Sequence, residues 1–228
     1  MSNFNFLDYL QNSAFLYNKN VILNDYIVDL EGYKSSNFDV NFSNILINTY
    51  NHFQEPLLIG EIGSWKGLTT TSMTNIITSN NIQSKIVCID TWQFSPNILI
   101  NNGNNINFDE LNKRGIGFPI IYYTFINNIC KLNLYDLIIP FPMGSIEAAN
   151  ILNNYNIKFN IIFLNCYYDY DSVTYNLNVY WKILKINGYI FGDYYNKINI
   201  KNAIDDFSNN HNISLLIYDT FWVINKIE

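Results

Sequence analysis

Pro56-Leu57-Leu58-Ile59-Gly60-Glu61-Ile62-Gly63-Ser64-Trp65-Lys66-Gly67 is followed by Leu68-Thr69-Thr70-Thr71-Ser72-Met73-Thr74-Asn75-Ile76-Ile77. An apolar run, a turn holding an acid and two glycines, and then a helical segment is how an α/β fold opens a nucleotide-type pocket. Glycine lets backbone come close to a ligand. The start of the following helix favours a carboxylate or a phosphate.

Outward from that turn, apolar runs and helix-period segments alternate. Strands are expected at 56–62, 85–90, 136–141, 159–165, 187–192, 213–218 and 221–226. Helices are expected at 67–79, 119–132, 145–154, 172–184 and 198–209. Ile161-Ile162-Phe163-Leu164 is a continuous apolar run of the kind found in strands covered on both faces. Alternation of this kind implies a parallel sheet with helices on both faces. The end differs, because only Asp219-Thr220 separates Ser214–Tyr218 from Phe221–Ile224. A link that short makes a hairpin, so the last strand is antiparallel to its neighbour. Upstream, residues 4–18 and 39–54 carry apolar side chains at helical spacing and are expected to pack on the main domain. The division is therefore a helical segment over 1–55 and an α/β domain over 56–228. Residues 91–118, with Asn101-Asn102-Gly103-Asn104-Asn105, fit no element and are expected to form a binding loop or lid.

Composition limits the classes of function. The chain has 228 residues, 49% hydrophobic, which suits one domain with elaborations and an ample core. A formal charge of −6 and no basic cluster argue against nucleic acid or an anionic membrane as partner. The 40 asparagines are interleaved with periodic apolar residues, which speaks for compositional bias rather than a prion-like tract. The cysteines Cys88, Cys130 and Cys166 form no close pair, and Met1–Asp8 lacks a basic-then-apolar signal. The expectation is reduced thiols, a cytoplasmic setting and no membrane span.

Asp90 ends the second strand, about two dozen residues beyond the glycine turn, where an acid can accept both ribose hydroxyls. With this residue, Glu61-Ile62-Gly63-Ser64-Trp65-Lys66-Gly67 and Ile89-Asp90-Thr91-Trp92 together resemble class I S-adenosylmethionine-dependent methyltransferases. The subgroup is the one related to macrolide-sugar O-methyltransferases and cephalosporin-hydroxylase-like proteins. Pro142–Ala149, Asp169–Val173 and Asn187–Tyr194 are similar to it as well, and the resemblance covers roughly residues 55–228.

The resemblance implies a Rossmann-like seven-stranded sheet, mostly parallel, with a reversed C-terminal strand and extra N-terminal helices. It implies S-adenosylmethionine as cofactor. Gly63 and Gly67, with Ser64 between them, would admit its methionine part, and Glu61 would hydrogen-bond its ammonium. Asp90 would hold the ribose, Trp92 would pack on the adenine, and Gly144 and Ser145 would flank it. Asn165, at the end of the fourth strand, joins this set. Metal-dependent relatives place an aspartate where this chain has Asn165, a histidine where it has Tyr168, and a second acid where it has Tyr194. A magnesium-type ion would rely on Asp193 and Asn165, a poor cage for a hard cation. Asp193 is the candidate base, with Tyr168 or Asp169 orienting the acceptor. The acceptor expected from the resemblance is a hydroxyl of a sugar or sugar-containing small molecule. Two alternatives stay open, a cofactor-binding module without turnover and a nicotinamide-dependent enzyme. The apolar N-terminal helices are candidates for a homodimer interface.

Overall fold

A computed structural model describes residues 5–16, 26–93, 119–165 and 168–227. The expected loop over residues 91–118 lies outside them from residue 94 onward, as do Cys166 and Tyr167.

The strands are β1 (Leu57–Ile62), β2 (Ser84–Asp90), β3 (Ile138–Pro142), β4 (Phe159–Leu164), β5 (Leu184–Gly192), β6 (Leu215–Tyr218) and β7 (Phe221–Asn225). They form a single sheet in the order β3-β2-β1-β4-β5-β7-β6. β1 to β5 are parallel, and β7 runs antiparallel to both β5 and β6. The two-residue link expected to make a hairpin does so, with Tyr218 paired to Phe221 and Asp219 taking a left-handed φ of 60°. β5 begins earlier than its apolar run. Its register against β4 shifts between Phe159 and Ile161, where residues 185–188 of β5 lie between the partners Leu184 and Tyr189. A side chain at Gly188 would press on the Asn160 carbonyl oxygen at 2.7 Å, so the bulge needs glycine there.

The helices are α1 (Phe6–Leu16), α2 (Phe38–Phe53), α3 (Leu68–Ser79), α4 (Ile120–Lys131), α5 (Ser145–Asn154), α6 (Tyr170–Ile183) and α7 (Ile198–His211). Successive strand residues point to opposite faces. Ile161 and Phe163 meet α2, α3 and α4, while Ile162 and Leu164 meet α5, α6 and α7. On the first face Phe38 packs edge-on to Phe163 with ring centroids 5.2 Å apart, and Phe191 stacks on Phe163 at 4.9 Å. Each fully buried phenylalanine contributes about 1.5–3 kcal/mol by leaving water.

α1 covers the open edge of β3. Phe6 meets Phe141 edge-on at 5.7 Å, and Gln11 Nε2 donates to the carbonyls of Tyr135 (2.7 Å) and Ile138 (3.2 Å). The apolar faces of α1 and α2 are thus already engaged with the chain's own sheet. Among the described residues no helix is long and apolar enough to cross a membrane.

Parallel strands to either side of the β1/β4 junction wind in opposite directions, and a crevice opens at such a point beyond the carboxyl ends of the strands. Every expected site residue lies at that edge of the sheet or in the turn and helix start beyond it.

Candidate functional site

The chain leaves β1 at Gly63, whose φ is 94° and whose N–H donates to the Ile89 carbonyl of β2 (2.9 Å). The turn closes with Gly67 N–H donating to the Ser64 carbonyl (2.9 Å). Gly67 has φ 90°, and a Cβ there would sit 3.3 Å from the Phe125 ring. Both geometry and space therefore call for glycine. Gly67 precedes α3 without a side-chain cap, and the first turn of α3 carries no acid. First-turn amides with no intrahelical partner, at the positive end of the helix dipole, suit an anion.

Glu61 lies fully buried beneath the turn. Its Oε1 accepts from Thr69 (2.5 Å), and its Oε2 accepts from Thr70 and from Ser64 (2.9 Å). Burial pushes the Glu61 carboxyl above its ordinary range, although hydroxyls from Thr69, Thr70 and Ser64 pull the other way. The Cys88 thiol, 3.5 Å from Oε2, is pushed well up by burial and by the Glu61 charge. Glu61 and Ser64, expected around the cofactor, are thus bonded to each other and pin α3 to β1.

Asp90 ties two turns together. Its Oδ2 accepts from Trp65 N–H (2.9 Å) and its Oδ1 from Trp92 N–H (2.7 Å). Burial raises this carboxyl too, opposed by the amides of Trp65, Trp92, Ser64 and Thr91. Trp92, expected to offer a ring face to adenine, is fully buried against Tyr122 (4.9 Å) and Phe125 (5.0 Å). Its indole N–H donates to the Trp65 carbonyl (2.7 Å), so it braces the glycine turn from behind. Next along the sheet edge, Met143 N–H donates to the Asp90 carbonyl (3.0 Å). Gly144 precedes α5, where a Cβ would collide with the Glu147 carboxylate. Ser145 is buried, and its carbonyl accepts from the Tyr180 hydroxyl (2.7 Å). Asn165 N–H donates to the Ile62 carbonyl (2.8 Å), which joins the β4 end to the β1 end.

The other half of the site lies beyond β4 and β5. Asp193 is buried, and its Oδ2 accepts from Ser35 N–H (3.3 Å). Burial raises its carboxyl, against the hydrogen bonds from Ser35. Its Oδ1 has no partner among the described residues, and the same holds for Asn176 Oδ1 and Trp222 Nε1. These three residues and Asn165 line one small cavity of about 20 Å³. Tyr194 borders it with a left-handed φ of 64°, stacked on Tyr33 (4.3 Å) and edge-on to the exposed Tyr168 (5.2 Å). Tyr168 and Tyr194 also bound a wider, open cavity of about 460 Å³, with Lys197, Ile198 and Asn199. Asp169, expected to orient an acceptor, caps α6 instead, its Oδ1 accepting from Ser172 N–H (2.9 Å). Among the described residues no group of three or more His, Cys, Asp or Glu side chains converges as a metal site.

Residues 26–35, with no helical or alternating period, form a strap across this edge of the sheet, which the sequence does not announce. Asn128 of α4, fully buried, holds it with all four of its hydrogen-bonding positions. Its Nδ2 donates to the carbonyls of Asp29 (2.7 Å) and Lys66 (2.8 Å). Its Oδ1 accepts from Asp29 N–H (2.9 Å) and the Tyr26 hydroxyl (3.0 Å). Lys66 reaches back from the glycine turn to Asp29 (2.9 Å) and Glu31 (2.7 Å). Tyr33 and Ser35 then deliver the strap onto Tyr194 and Asp193.

A family model described as a methyltransferase domain matches residues 61–195, more than half of the chain. Comparison with curated protein sequences finds no match. Among solved structures, the O-methyltransferase NovP is similar with a TM-score of 0.66 at 15% identity, covering 98% of both chains. An O-methyltransferase from Bacillus cereus, solved in complex with S-adenosylhomocysteine, is similar with a TM-score of 0.55 at 12% identity, covering 97% of this chain and 91% of its own. CalS11, described as a calicheamicin methyltransferase, is similar with a TM-score of 0.55 at 11% identity, covering 99% of this chain and 98% of its own.

Proposed function

The chain belongs to this methyltransferase domain family, and from that premise we propose that it is an S-adenosylmethionine-dependent O-methyltransferase acting on a hydroxyl of a sugar or sugar-containing small molecule. The observation that carries the reading is the uncapped start of α3, opened by Gly63 and Gly67 and flanked by Asp90, with the buried carboxylate of Asp193 on the other side of the β1/β4 crevice. Solved O-methyltransferases of similar fold, one of them holding S-adenosylhomocysteine, support the choice of cofactor.

The residues present fit that cofactor. The α3 amides would take its carboxylate, at a turn whose Gly67 has φ 90° and packs against the Phe125 ring. Glu61 contributes negative charge beneath the ammonium, from a position fixed by three hydroxyls. The Asp90 oxygens take the backbone N–H groups of Trp65 and Trp92 and would offer remaining lone pairs to the ribose hydroxyls. Gly144 and Ser145 would border the adenine, and Trp92 supports the turn rather than stacking on the ligand. When bound, S-adenosylmethionine supplies a methyl group already activated by its sulfonium charge. The chain's work is then to hold the acceptor in line and keep water out. Asp193 would take the acceptor's hydroxyl proton as the C–O bond forms and the methyl–sulfur bond breaks, with S-adenosylhomocysteine as the leaving group, and its burial raises its basicity for that step.

The wide cavity is our candidate acceptor site. It has the aromatic faces of Tyr168 and Tyr194 and the polar tips of Lys197 and Asn199, which suit a polyhydroxylated ring. The reaction is read as metal-free. Asp193 is a single carboxylate, Asn165 a neutral amide, and the Trp222 indole N–H beside them can only donate. For self-association, apolar side chains are exposed at the open β6 edge, as Leu216, Ile217 and Tyr218, and on the N-terminal helices, as Tyr9, Val40, Ile47 and Tyr50.

The test is methyl transfer from isotopically labelled S-adenosylmethionine to a panel of sugar nucleotides, glycosides and catechols. Methylated sugar is expected, with kcat about 100-fold or more lower in Asp193→Asn. Methylation of catechols alone would remove the sugar assignment, and binding without transfer to any acceptor would favour a module without turnover.

A further inference from the structure

We propose that the small cavity beyond β4 and β5 binds one ordered water that links Asp193 to Trp222 and Asn176, and that these two residues position Asp193. Asp193, Asn176 and Trp222 are 3%, 2% and 1% exposed, and each keeps one polar atom without a partner among the described residues. Their other polar valences are engaged. Asp193 Oδ2 accepts from Ser35 N–H at 3.3 Å, and Asn176 Nδ2 donates to the Ser172 carbonyl at 2.8 Å. Among these three cavity-lining residues, what remains is two acceptors, Asp193 Oδ1 and Asn176 Oδ1, and one donor, Trp222 Nε1–H; the Ser35 hydroxyl, beside the Asp193 carboxylate but outside that lining, is likewise without a partner among the described residues.

One water is the complement of that set. It accepts from the indole and donates one hydrogen to each oxygen. A metal ion gives the indole N–H nothing to donate to, and an ammonium group has no lone pair for it. An acceptor hydroxyl brings only one hydrogen for two oxygens. Size makes the same choice, since about 20 Å³ has room for a single water and not for a sugar ring.

The cavity is built by the sheet. The β5–β7 register sets Trp222 opposite Gly192, the residue before Asp193. A Cβ at Gly192 would lie 2.6 Å from the Trp222 ring, so glycine is what lets the indole lie over the end of β5. With Oδ2 held by Ser35 and Oδ1 by the water, the Asp193 carboxylate has one orientation. That this orientation serves proton removal rests on the methyltransferase reading, whereas the water site itself does not.

The test is nuclear magnetic resonance of the full chain with ¹⁵N-labelled indoles. There are four tryptophans, and Trp222→Phe assigns the relevant signal. The wild-type protein, without cofactor or acceptor, is expected to show a dipolar rotating-frame cross-peak between the Trp222 indole proton and a long-lived water. Asn176→Leu should abolish that cross-peak. Asp193→Ala should shift the Trp222 indole signal with the other three unmoved. A folded wild-type protein with no water cross-peak at Trp222 overturns the site, and a Trp222 signal unmoved by Asp193→Ala overturns the link. In the methyl-transfer assay Asn176→Leu should lower kcat about tenfold with KM unchanged, and an unchanged kcat overturns the positioning role. A chain that shows the water but transfers no methyl group keeps this site and loses the proposed function. Transfer without the water does the reverse.

Discussion

Three bulky aromatics hold a left-handed backbone directly after parallel strands: Trp65 at φ 47°, Trp92 at 52° and Tyr194 at 64°. Such residues cost about 1–3 kcal/mol each and persist where the surroundings over-determine them, commonly at binding sites. Here Asp90 accepts from two of the three backbone amides, so one carboxylate holds two strained turns. Gly67 is the counterpart that avoids strain. Gly67→Ala puts a side chain at φ 90° against the Phe125 ring, and a loss of about 1–3 kcal/mol in urea unfolding is expected. Glu61 gives a test whose sign is fixed. Burial raises its carboxyl in the folded chain, so the folded state binds that proton more tightly than the unfolded state. The stability it contributes is present below the unfolded value of about 4.3 and is lost as pH rises through the folded value. Glu61→Gln removes this titration, so the stability of the natural chain relative to the variant should fall between about pH 4 and the folded pKa. A difference that does not change with pH in urea titrations would contradict the assignment.

At the scale of elements, the strap over residues 26–35 is held by hydrogen bonds more than by charge. Lys66 is buried, and the Glu31 and Asp29 hydrogen bonds raise its pKa against the opposing effect of burial. The two carboxylates are more than half exposed, however, and such ion pairs contribute little. Asn128 is fully buried with every position bonded, so removing it strands several polar groups at once. Asn128→Ala is expected to cost about 2–4 kcal/mol and to speed hydrogen exchange across residues 26–35. Lys66→Met should leave that exchange nearly unchanged. Equal effects from both substitutions would overturn this ranking.

For the whole molecule, the fold was legible because its signals are local. The apolar runs of β1 to β4 and the helical periods between them can be read off the chain, and the two-residue link at Asp219-Thr220 allows only a hairpin. The glycine turn and Asp90 were legible for the same reason. Features that depend on tertiary register were not. Trp92 looks the same in sequence whether it faces a ligand or the core, and only the packing of Tyr122 and Phe125 decides. Asn128 is one of 40 asparagines, and nothing local distinguishes the one that holds the strap. Asp169 follows the end of β4 as a catalytic acid would, yet its carboxylate is bonded to the first turn of α6. The atoms of Asp193, Asn176 and Trp222 without partners among the described residues come together only once β7 inserts beside β5.

The central claim is that the turn from Gly63 to Gly67 receives S-adenosylmethionine. Isothermal titration calorimetry of the intact chain with S-adenosylhomocysteine tests it most directly. The account predicts saturable binding at one site per chain, at least tenfold weaker in Gly67→Ala that still unfolds cooperatively. No heat of binding from either S-adenosylhomocysteine or S-adenosylmethionine in the folded chain, or tighter binding of NAD, would contradict it.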